Sequence, residues 1–146
     1  MSGGQVGGTR VGGAQAGTAR RARLPIGPRV VAAALLLVGG WVHLHLFLAG
    51  YREVATIGPL FLADAVLSAL GAIAVVASRH PAPAILAALF QLGAIAGLAL
   101  ASTVGLFGFH ETGIGVGTDI AVAYTVEAAA AMILGLAVFL AVRPAR

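Results

Sequence analysis

The sequence predicts an all-α integral membrane protein that folds as a four-helix bundle, and three observations support this class. The 146-residue chain is 60% hydrophobic and only 10% charged, whereas soluble domains are about 45–50% apolar and about 25% charged. Four apolar segments each reach the length of about 20 residues that a helix needs to cross a hydrocarbon core about 30 Å thick. The alternation of apolar and polar residues that is typical of membrane β-barrels is absent from the sequence.

The four predicted helices follow a polar N-terminal segment. Residues 1–28 are rich in glycine, alanine and arginine. They offer too little apolar surface to offset the entropy of ordering, so we predict a disordered basic tail. The membrane domain covers residues 29–142, and residues 143–146 form a short basic tail. Prolines stand near three of the predicted helix starts, where a missing N–H leaves no hydrogen bond unmade. The predicted helices cover residues 29–50, 57–78, 83–107 and 118–142.

The distribution of arginine predicts the orientation in the membrane. The chain has no lysine, and every arginine except Arg52 falls on the side of the two termini if four helices alternate in direction. The positive-inside rule then places both termini in the cytoplasm and predicts a multi-pass protein of the cell membrane. Because these arginines lie next to apolar segments, they indicate topology, and we expect no binding of nucleic acid.

The composition excludes several cofactors. Cysteine is absent, which excludes thiolate zinc sites and iron–sulfur clusters. A membrane haem held by two histidines needs imidazoles on facing helices, whereas the predicted helices contain only His43 and His45, both in the first helix. We therefore predict no cofactor.

Three ionisable residues are predicted to share one level in the outer half of the membrane. At 1.5 Å per residue, His43 lies about 10 Å below the outer end of the first helix, and Asp64 lies equally deep in the second. Glu127 lies slightly deeper in the fourth. Small residues on the same helix faces favour an orientation towards the bundle interior. The predicted intramembrane polar cluster comprises His43, Asp64, Glu127, Tyr124 and Ser68.

Three interpretations of this cluster remain open. An ionised carboxylate at mid-membrane costs about 2.5–3.5 kcal/mol, so such residues are usually paired. The residues could simply join the helices by hydrogen bonds. They could instead share protons, with His43 donating to one carboxylate while another carboxyl stays protonated. Finally, His43, Asp64 and Glu127 are weak candidates for the ligands of a divalent metal ion, because one histidine with two carboxylates is a known iron and zinc site.

A second group of polar residues is predicted at the outer face. Tyrosine and arginine commonly anchor helices at a membrane interface, and Arg52 could pair with an acidic neighbour. His45 points about 200° away from His43, at about 100° per residue, so the two histidines cannot serve one site. The outer polar residues are His45, Tyr51, Arg52, Glu53, His110, Glu111 and Asp119.

The third predicted helix contains two features of its own. Gln91 is expected to form a hydrogen bond between helices. Gly93 and Gly97 form a Gly-x-x-x-Gly motif, which allows close helix packing either inside the bundle or between two copies of the chain.

The segment from Trp41 to Val66, "WVHLHLFLAGYREVATIGPLFLADAV", resembles a stretch of small four-helix membrane proteins of actinobacteria that lack an assigned function. The lysine-free composition, rich in alanine, glycine and arginine, is similar to that of proteins from GC-rich genomes. The resemblance implies a bacterial inner-membrane protein and provides no catalytic motif.

These observations favour a non-catalytic accessory or structural membrane subunit over an enzyme. The expected partners are the lipid bilayer and either other membrane subunits or further copies of the chain. The alternative is a small proton- or ion-coupled transporter that uses His43, Asp64 and Glu127. A metal-binding membrane protein is the third hypothesis.

Overall fold

The computed structural model describes residues 23–111 and 117–143 of the chain, and these residues form four long α-helices. Each helix is long and apolar enough to span a membrane, with a mean hydropathy between 2.0 and 2.3. The predicted all-α fold with four apolar helices of spanning length is therefore confirmed. The helices are α1 (Ile26–Ala49), α2 (Ile57–Ala77), α3 (Pro81–Thr103) and α4 (Gly117–Val142), with a short 3-10 helix at Tyr51–Glu53.

The first helix begins earlier than predicted. α1 starts at Ile26 rather than at residue 29, because the extended residue Pro25 precedes it and Pro28 fits into its first turn without the loss of a hydrogen bond. Leu24 is also buried, and its backbone N–H donates to the carbonyl oxygen of Arg79 at 3.0 Å. The predicted boundary of the tail at residue 28 was therefore too late in the chain. The rest of the predicted N-terminal tail, residues 1–22, and residues 144–146 of the predicted C-terminal tail lie outside the described residues.

The third helix ends earlier than predicted. α3 ends at Thr103 rather than at residue 107. Gly105, Phe107 and Gly108 have φ angles of 88°, 51° and 80°, and no α-helix can contain such values. The chain therefore turns away from the helix axis, and an isolated antiparallel bridge between Leu106 and Phe109 holds the turn.

The bundle has two distinct ends. The terminal end contains the start of α1 and the connection between α2 and α3, which the bond between Leu24 and Arg79 brings together. The loop end contains the connection between α1 and α2 and the segment that follows α3. There, the Tyr51 hydroxyl donates to a carboxylate oxygen of Glu111 at 2.5 Å. Consecutive helices therefore run in opposite directions.

Arg29 closes the terminal end by an interaction that the sequence did not predict. Its side chain is buried, with 4% of its surface exposed. The guanidinium donates through Nε to the Val75 carbonyl oxygen at 2.8 Å and through a terminal nitrogen to the Val76 carbonyl oxygen. These carbonyls lie in the last turn of α2, where the helix provides no N–H donors for its own carbonyl oxygens. Arg29 thus caps α2 from α1, and its positive charge interacts favourably with the negative end of the α2 dipole.

The larger apolar core lies in the terminal half of the bundle and a smaller one lies in the loop half. α1 lies along both α2 and α4, and α3 lies along α4, whereas α2 and α3 meet over a shorter stretch. The main apolar core fills the terminal half, with Leu36, Val75 and Leu134 almost fully buried. The smaller cluster around Val42 and Leu46 lies in the loop half.

Candidate functional site

The structure brings together His43 of α1, Asp64 of α2 and Glu127 of α4, here called the triad. His43 Nδ1 lies 3.3 Å from Asp64 Oδ1, and His43 Nε2 lies 3.7 Å from Glu127 Oε1. The exposed fractions of the three side chains are 10%, 13% and 2%, respectively. The imidazole ring therefore lies between two carboxyl groups that approach it from different helices.

A close approach of α1 and α2 positions the first pair. A Cβ atom placed on Gly40 would lie 3.0 Å from Ser68 Cβ and 3.2 Å from the Ala65 carbonyl oxygen. Only glycine allows the two helices to come this close. His43 lies one turn along α1 from Gly40, and Asp64 lies next to Ala65 on α2. The short distance between the helices is therefore what allows the imidazole to reach the carboxylate.

Neighbouring groups hold His43 and Asp64 in place. The carbonyl oxygen of Gly39 lies 3.0 Å from His43 Nδ1 and can accept a hydrogen bond when that nitrogen is protonated. The Ser68 hydroxyl donates to Asp64 Oδ1 at 3.2 Å. The ring of Phe61 packs edge-on against the imidazole, with the ring centroids 5.2 Å apart. Both polar contacts of Asp64 in the described part of the chain therefore involve Oδ1.

One carboxyl oxygen of Glu127 has no hydrogen-bond partner in the described part of the chain. Glu127 Oε2 is fully buried and accepts no hydrogen bond from the described residues. Leaving a buried polar atom in this state costs about 1–3 kcal/mol of stability relative to a hydrogen-bonded one. A proton or a cation on Oε2 would remove this cost. Ligand atoms of His43, Asp64 and Glu127 all lie within 4.8 Å of one another, which is close enough for a metal ion.

Gln91 lies in the centre of the bundle. Its side chain is 1% exposed, and a Cβ atom on Gly39 would lie 3.9 Å from its Nε2. The prediction that Gln91 forms a hydrogen bond between helices is wrong for its side-chain carbonyl oxygen. This atom, Oε1, has no hydrogen-bond partner among the described residues. The sequence indicated a polar side chain in the middle of an apolar helix. The position of Gln91 along α3 could not show that its side chain lies near Gly39, one turn from His43 on α1.

A cavity of about 360 Å³ extends from the loop end to the triad. It separates the loop halves of α2 and α3, and His43 and Asp64 form part of its wall. Gly93 and Gly97 also line it. A Cβ atom on Gly93 would meet no atom within 4 Å, and one on Gly97 would meet only Leu106 Cδ2, at 3.9 Å. The Gly-x-x-x-Gly motif therefore faces this space and forms no close helix contact among the described residues of the bundle, while a contact between two copies of the chain stays a prediction. The sequence offered no signal for the cavity.

Tyr51 and Glu111 lie at the loop end of this cavity. The Tyr51 ring packs against Phe61 and Phe109, with centroid distances of 4.9 and 5.9 Å. Burial raises the pKa of the Tyr51 hydroxyl well above its usual value, and the hydrogen bond and negative charge of Glu111 raise it further, with a smaller contribution from Asp119. Tyr51 is therefore a persistent hydrogen-bond donor to Glu111.

The remaining predicted polar residues do not join the triad. His45 and His110 are exposed, and Arg52 Nε donates to Glu53 Oε1 at 3.0 Å in an exposed pair. Tyr124 is partly buried on α4 and forms no hydrogen bond or ion pair with the triad among the described residues. Asp119 lies in the first turn of α4, where a negative charge favours the helix dipole.

Comparison of the chain with protein-family models, with curated proteins and with solved structures found no match. The resemblance of the segment from Trp41 to Val66 to small actinobacterial membrane proteins therefore stays a prediction.

Proposed function

We propose that this chain is a small multi-pass protein of the cell membrane that binds and releases protons at the triad and works as a proton-coupled transporter. The central observation is that each ring nitrogen of His43 faces a different carboxyl group, Asp64 at 3.3 Å and Glu127 at 3.7 Å. Histidine is the side chain whose ordinary titration range is nearest to neutral pH. This arrangement allows a proton to move between groups on three helices.

The charge of the triad favours reversible protonation. With a neutral imidazole and two ionised carboxylates the triad carries two negative charges, and each added proton removes one of them. A doubly charged site is costly in a low-dielectric interior. The favourable protonation states of the triad are therefore those with a total charge close to zero. Two such states differ by a single proton. α3 has no ionisable residue within Pro81–Thr103, so no group of that helix offsets this charge.

Access to the triad differs between the two ends of the bundle. The cavity reaches His43 and Asp64 from the loop end, whereas the apolar core around Leu36, Val75 and Leu134 closes the terminal half. A transporter needs its site open to one side at a time, and this arrangement corresponds to a state open at the loop end.

The placement in the membrane is part of this proposal. Arg23, Arg79 and Arg143 are exposed and lie at the terminal end. The positive-inside rule then places both termini in the cytoplasm of a bacterial cell. The loop end and the mouth of the cavity would face outwards, so the state described above would be open to the outside.

Infrared difference spectroscopy against pH, on the protein in lipid nanodiscs, tests proton binding directly. We expect the carbonyl stretch of a protonated carboxyl group to change with pH, because the proposal requires a carboxyl group of the triad to gain and lose a proton. Asp64→Asn and Glu127→Gln should each remove or shift this signal. Glu53→Gln, at an exposed carboxylate, is the matched control and should not change it.

A histidine pair provides a second control. His43→Ala should alter the carboxyl signal because it removes the group between the two acids. His45→Ala, two residues along the same helix but exposed, should not. If no buried carboxyl group changes protonation while the protein stays folded, the triad only joins the helices. The hypothesis of a non-catalytic accessory subunit would then replace the transporter.

A divalent metal site is the second candidate, because Glu127 Oε2 has no hydrogen-bond partner among the described residues and the three side chains lie within reach of one ion. The ring geometry favours the proton, since the two carboxylates face different ring nitrogens while a single ion would bind only one nitrogen. Metal analysis of the purified protein decides between them. A stoichiometric ion that is lost in Glu127→Gln would establish the metal site.

A further inference from the structure

We infer that the cavity binds a small organic cation, with an ammonium group at Asp64 and an apolar body between α2 and α3. This inference rests on the proposed proton function, because the bound cation would exchange with a proton of the triad. It adds the substrate class, which the triad alone does not indicate.

The charges along the cavity favour a cation. The described residues that line it include the carboxyl groups of Asp64 and Glu111, the imidazole of His43 and the phenol of Tyr51, but no arginine. The chain contains no lysine. An anionic ligand would meet the Asp64 carboxylate, whose charge no arginine among the described lining residues offsets, whereas an ammonium group would be attracted. Glu111 lies near the mouth and Asp64 near the bottom, so a cation meets negative charge at both levels.

Asp64 has an oxygen that a ligand can use. The contacts from His43 Nδ1 and from the Ser68 hydroxyl both involve Oδ1. The side chain is 13% exposed and forms part of the cavity wall. An ammonium group that enters the cavity can therefore donate to Oδ2 without breaking the contact between His43 and Asp64.

The rest of the wall suits an apolar body. Apart from the four polar groups, the described lining consists of aliphatic, phenylalanine and glycine residues. Ligand sites typically have volumes of about 300–1,000 Å³ and combine an apolar wall with a few polar groups. At about 360 Å³ the cavity is at the lower end of that range, which favours a small molecule.

The cavity is open between α2 and α3. Leu60, Ala63, Leu67 and Gly93 line it and are also exposed. If the four helices span a membrane, this side faces the acyl chains. A molecule with an apolar body can therefore enter sideways from the lipid, while a strongly hydrated metal or alkali cation cannot use this route.

Charge balance couples the cation to a proton. An ammonium group that arrives at Asp64 adds one positive charge next to the triad. Release of one proton from the triad restores the earlier total charge, so the exchange is one organic cation in and one proton out. No covalent bond changes in this exchange.

Three probes with the same apolar body and different head groups test the ligand class. Phenylbutylamine is a cation at neutral pH, phenylbutanol is neutral and phenylbutyrate is an anion. Binding is measured by isothermal titration calorimetry on the protein in nanodiscs, with empty nanodiscs as the blank. Titrations in two buffers of different ionisation enthalpy give the number of protons released.

We expect the amine to bind about tenfold or more tightly than the alcohol, because a charged hydrogen bond at Asp64 supplies the difference. The carboxylate should not bind. Asp64→Asn should reduce amine affinity to that of the alcohol. Gly93→Leu should weaken both probes because it fills the cavity from a position where a Cβ atom meets nothing. Gly135→Leu, at an exposed glycine of α4 that is also free of contacts, is its control and should change neither.

Each other outcome contradicts a specific part. Equal affinity for amine and alcohol would show an apolar or lipid-binding cavity and overturn the inference. Binding of the carboxylate, or a Gly93→Leu protein that binds like wild type, would also overturn it. If the infrared experiment shows proton binding but no amine binds, only the ligand class is wrong. If the amine binds through Asp64 without proton release, the exchange is wrong and the ligand class stands.

Discussion

Two adjacent glycines of α1 allow a test of how the site is assembled. Gly39 and Gly40 follow one another in the sequence, but only Gly40 lies at the closest approach of α1 to α2. We predict that Gly40→Ala destabilises the protein and that Gly39→Ala does not. Since His43 lies one turn away, the same substitution should weaken its contact with Asp64.

The expected size follows from the distances. A Cβ atom on Gly40 would lie 3.0 Å from Ser68 Cβ and 3.2 Å from the Ala65 carbonyl oxygen. These atoms belong to the α2 backbone or are directly bonded to it, so the helices must separate. On Gly39 the nearest atom would be Val126 Cγ2 at 3.5 Å, an ordinary contact. Both variants gain about 1 kcal/mol of helix propensity. Overpacking costs about 1–3 kcal/mol, and this cost is the expected difference between the two.

Unfolding in mixed micelles with an increasing fraction of sodium dodecyl sulfate, followed by circular dichroism, measures the free energy of unfolding of each variant. The same samples, examined by infrared spectroscopy, report whether the carboxyl signal of the triad moves. We expect Gly40→Ala to be the less stable variant and to have the altered carboxyl signal. Equal stability of the two variants would refute the close approach of α1 and α2 as the basis of the site.

Three further predictions concern the two ends of the bundle. Arg29→Met should lower the free energy of unfolding by about 1–3 kcal/mol, because the carbonyl oxygens of Val75 and Val76 at the end of α2 lose their donor. The same unfolding assay measures this loss, and an equal loss in the exposed control Arg23→Met would contradict it. Gly58→Ala should destabilise the protein more than Gly40→Ala, since its Cβ would lie 2.7 Å from the Tyr51 carbonyl oxygen, and a smaller loss in that assay would argue against this contact. Burial, and then Glu111, raise the pKa of Tyr51, so its neutral hydroxyl stabilises the folded state below about pH 10. This contribution to the free energy of unfolding should be lost as the pH rises through the raised pKa of the folded state. Unfolding measured across that range should show the loss in wild type but not in Tyr51→Phe, and identical curves would contradict it.

The sequence alone was enough to predict the four apolar helices and the level shared by His43, Asp64 and Glu127. Both follow from local properties. The length and hydropathy of a segment decide whether it can span a membrane, and the rise and rotation per residue decide the depth and face of each side chain. His45 illustrates this, because two residues of rotation were sufficient to predict that it would not share a site with His43.

The tertiary structure decided which helices meet and how closely. Tyr124 shares a face with Glu127, yet it does not join the triad. Gly93 and Gly97 match a packing motif but face a cavity, and Arg29 caps a helix 46 residues away along the chain. The contact of Tyr51 with Glu111 likewise depends on a turn between two other helices. A helical pattern gives the direction of a side chain relative to its own axis, whereas the neighbour it meets depends on the packing of all four helices together.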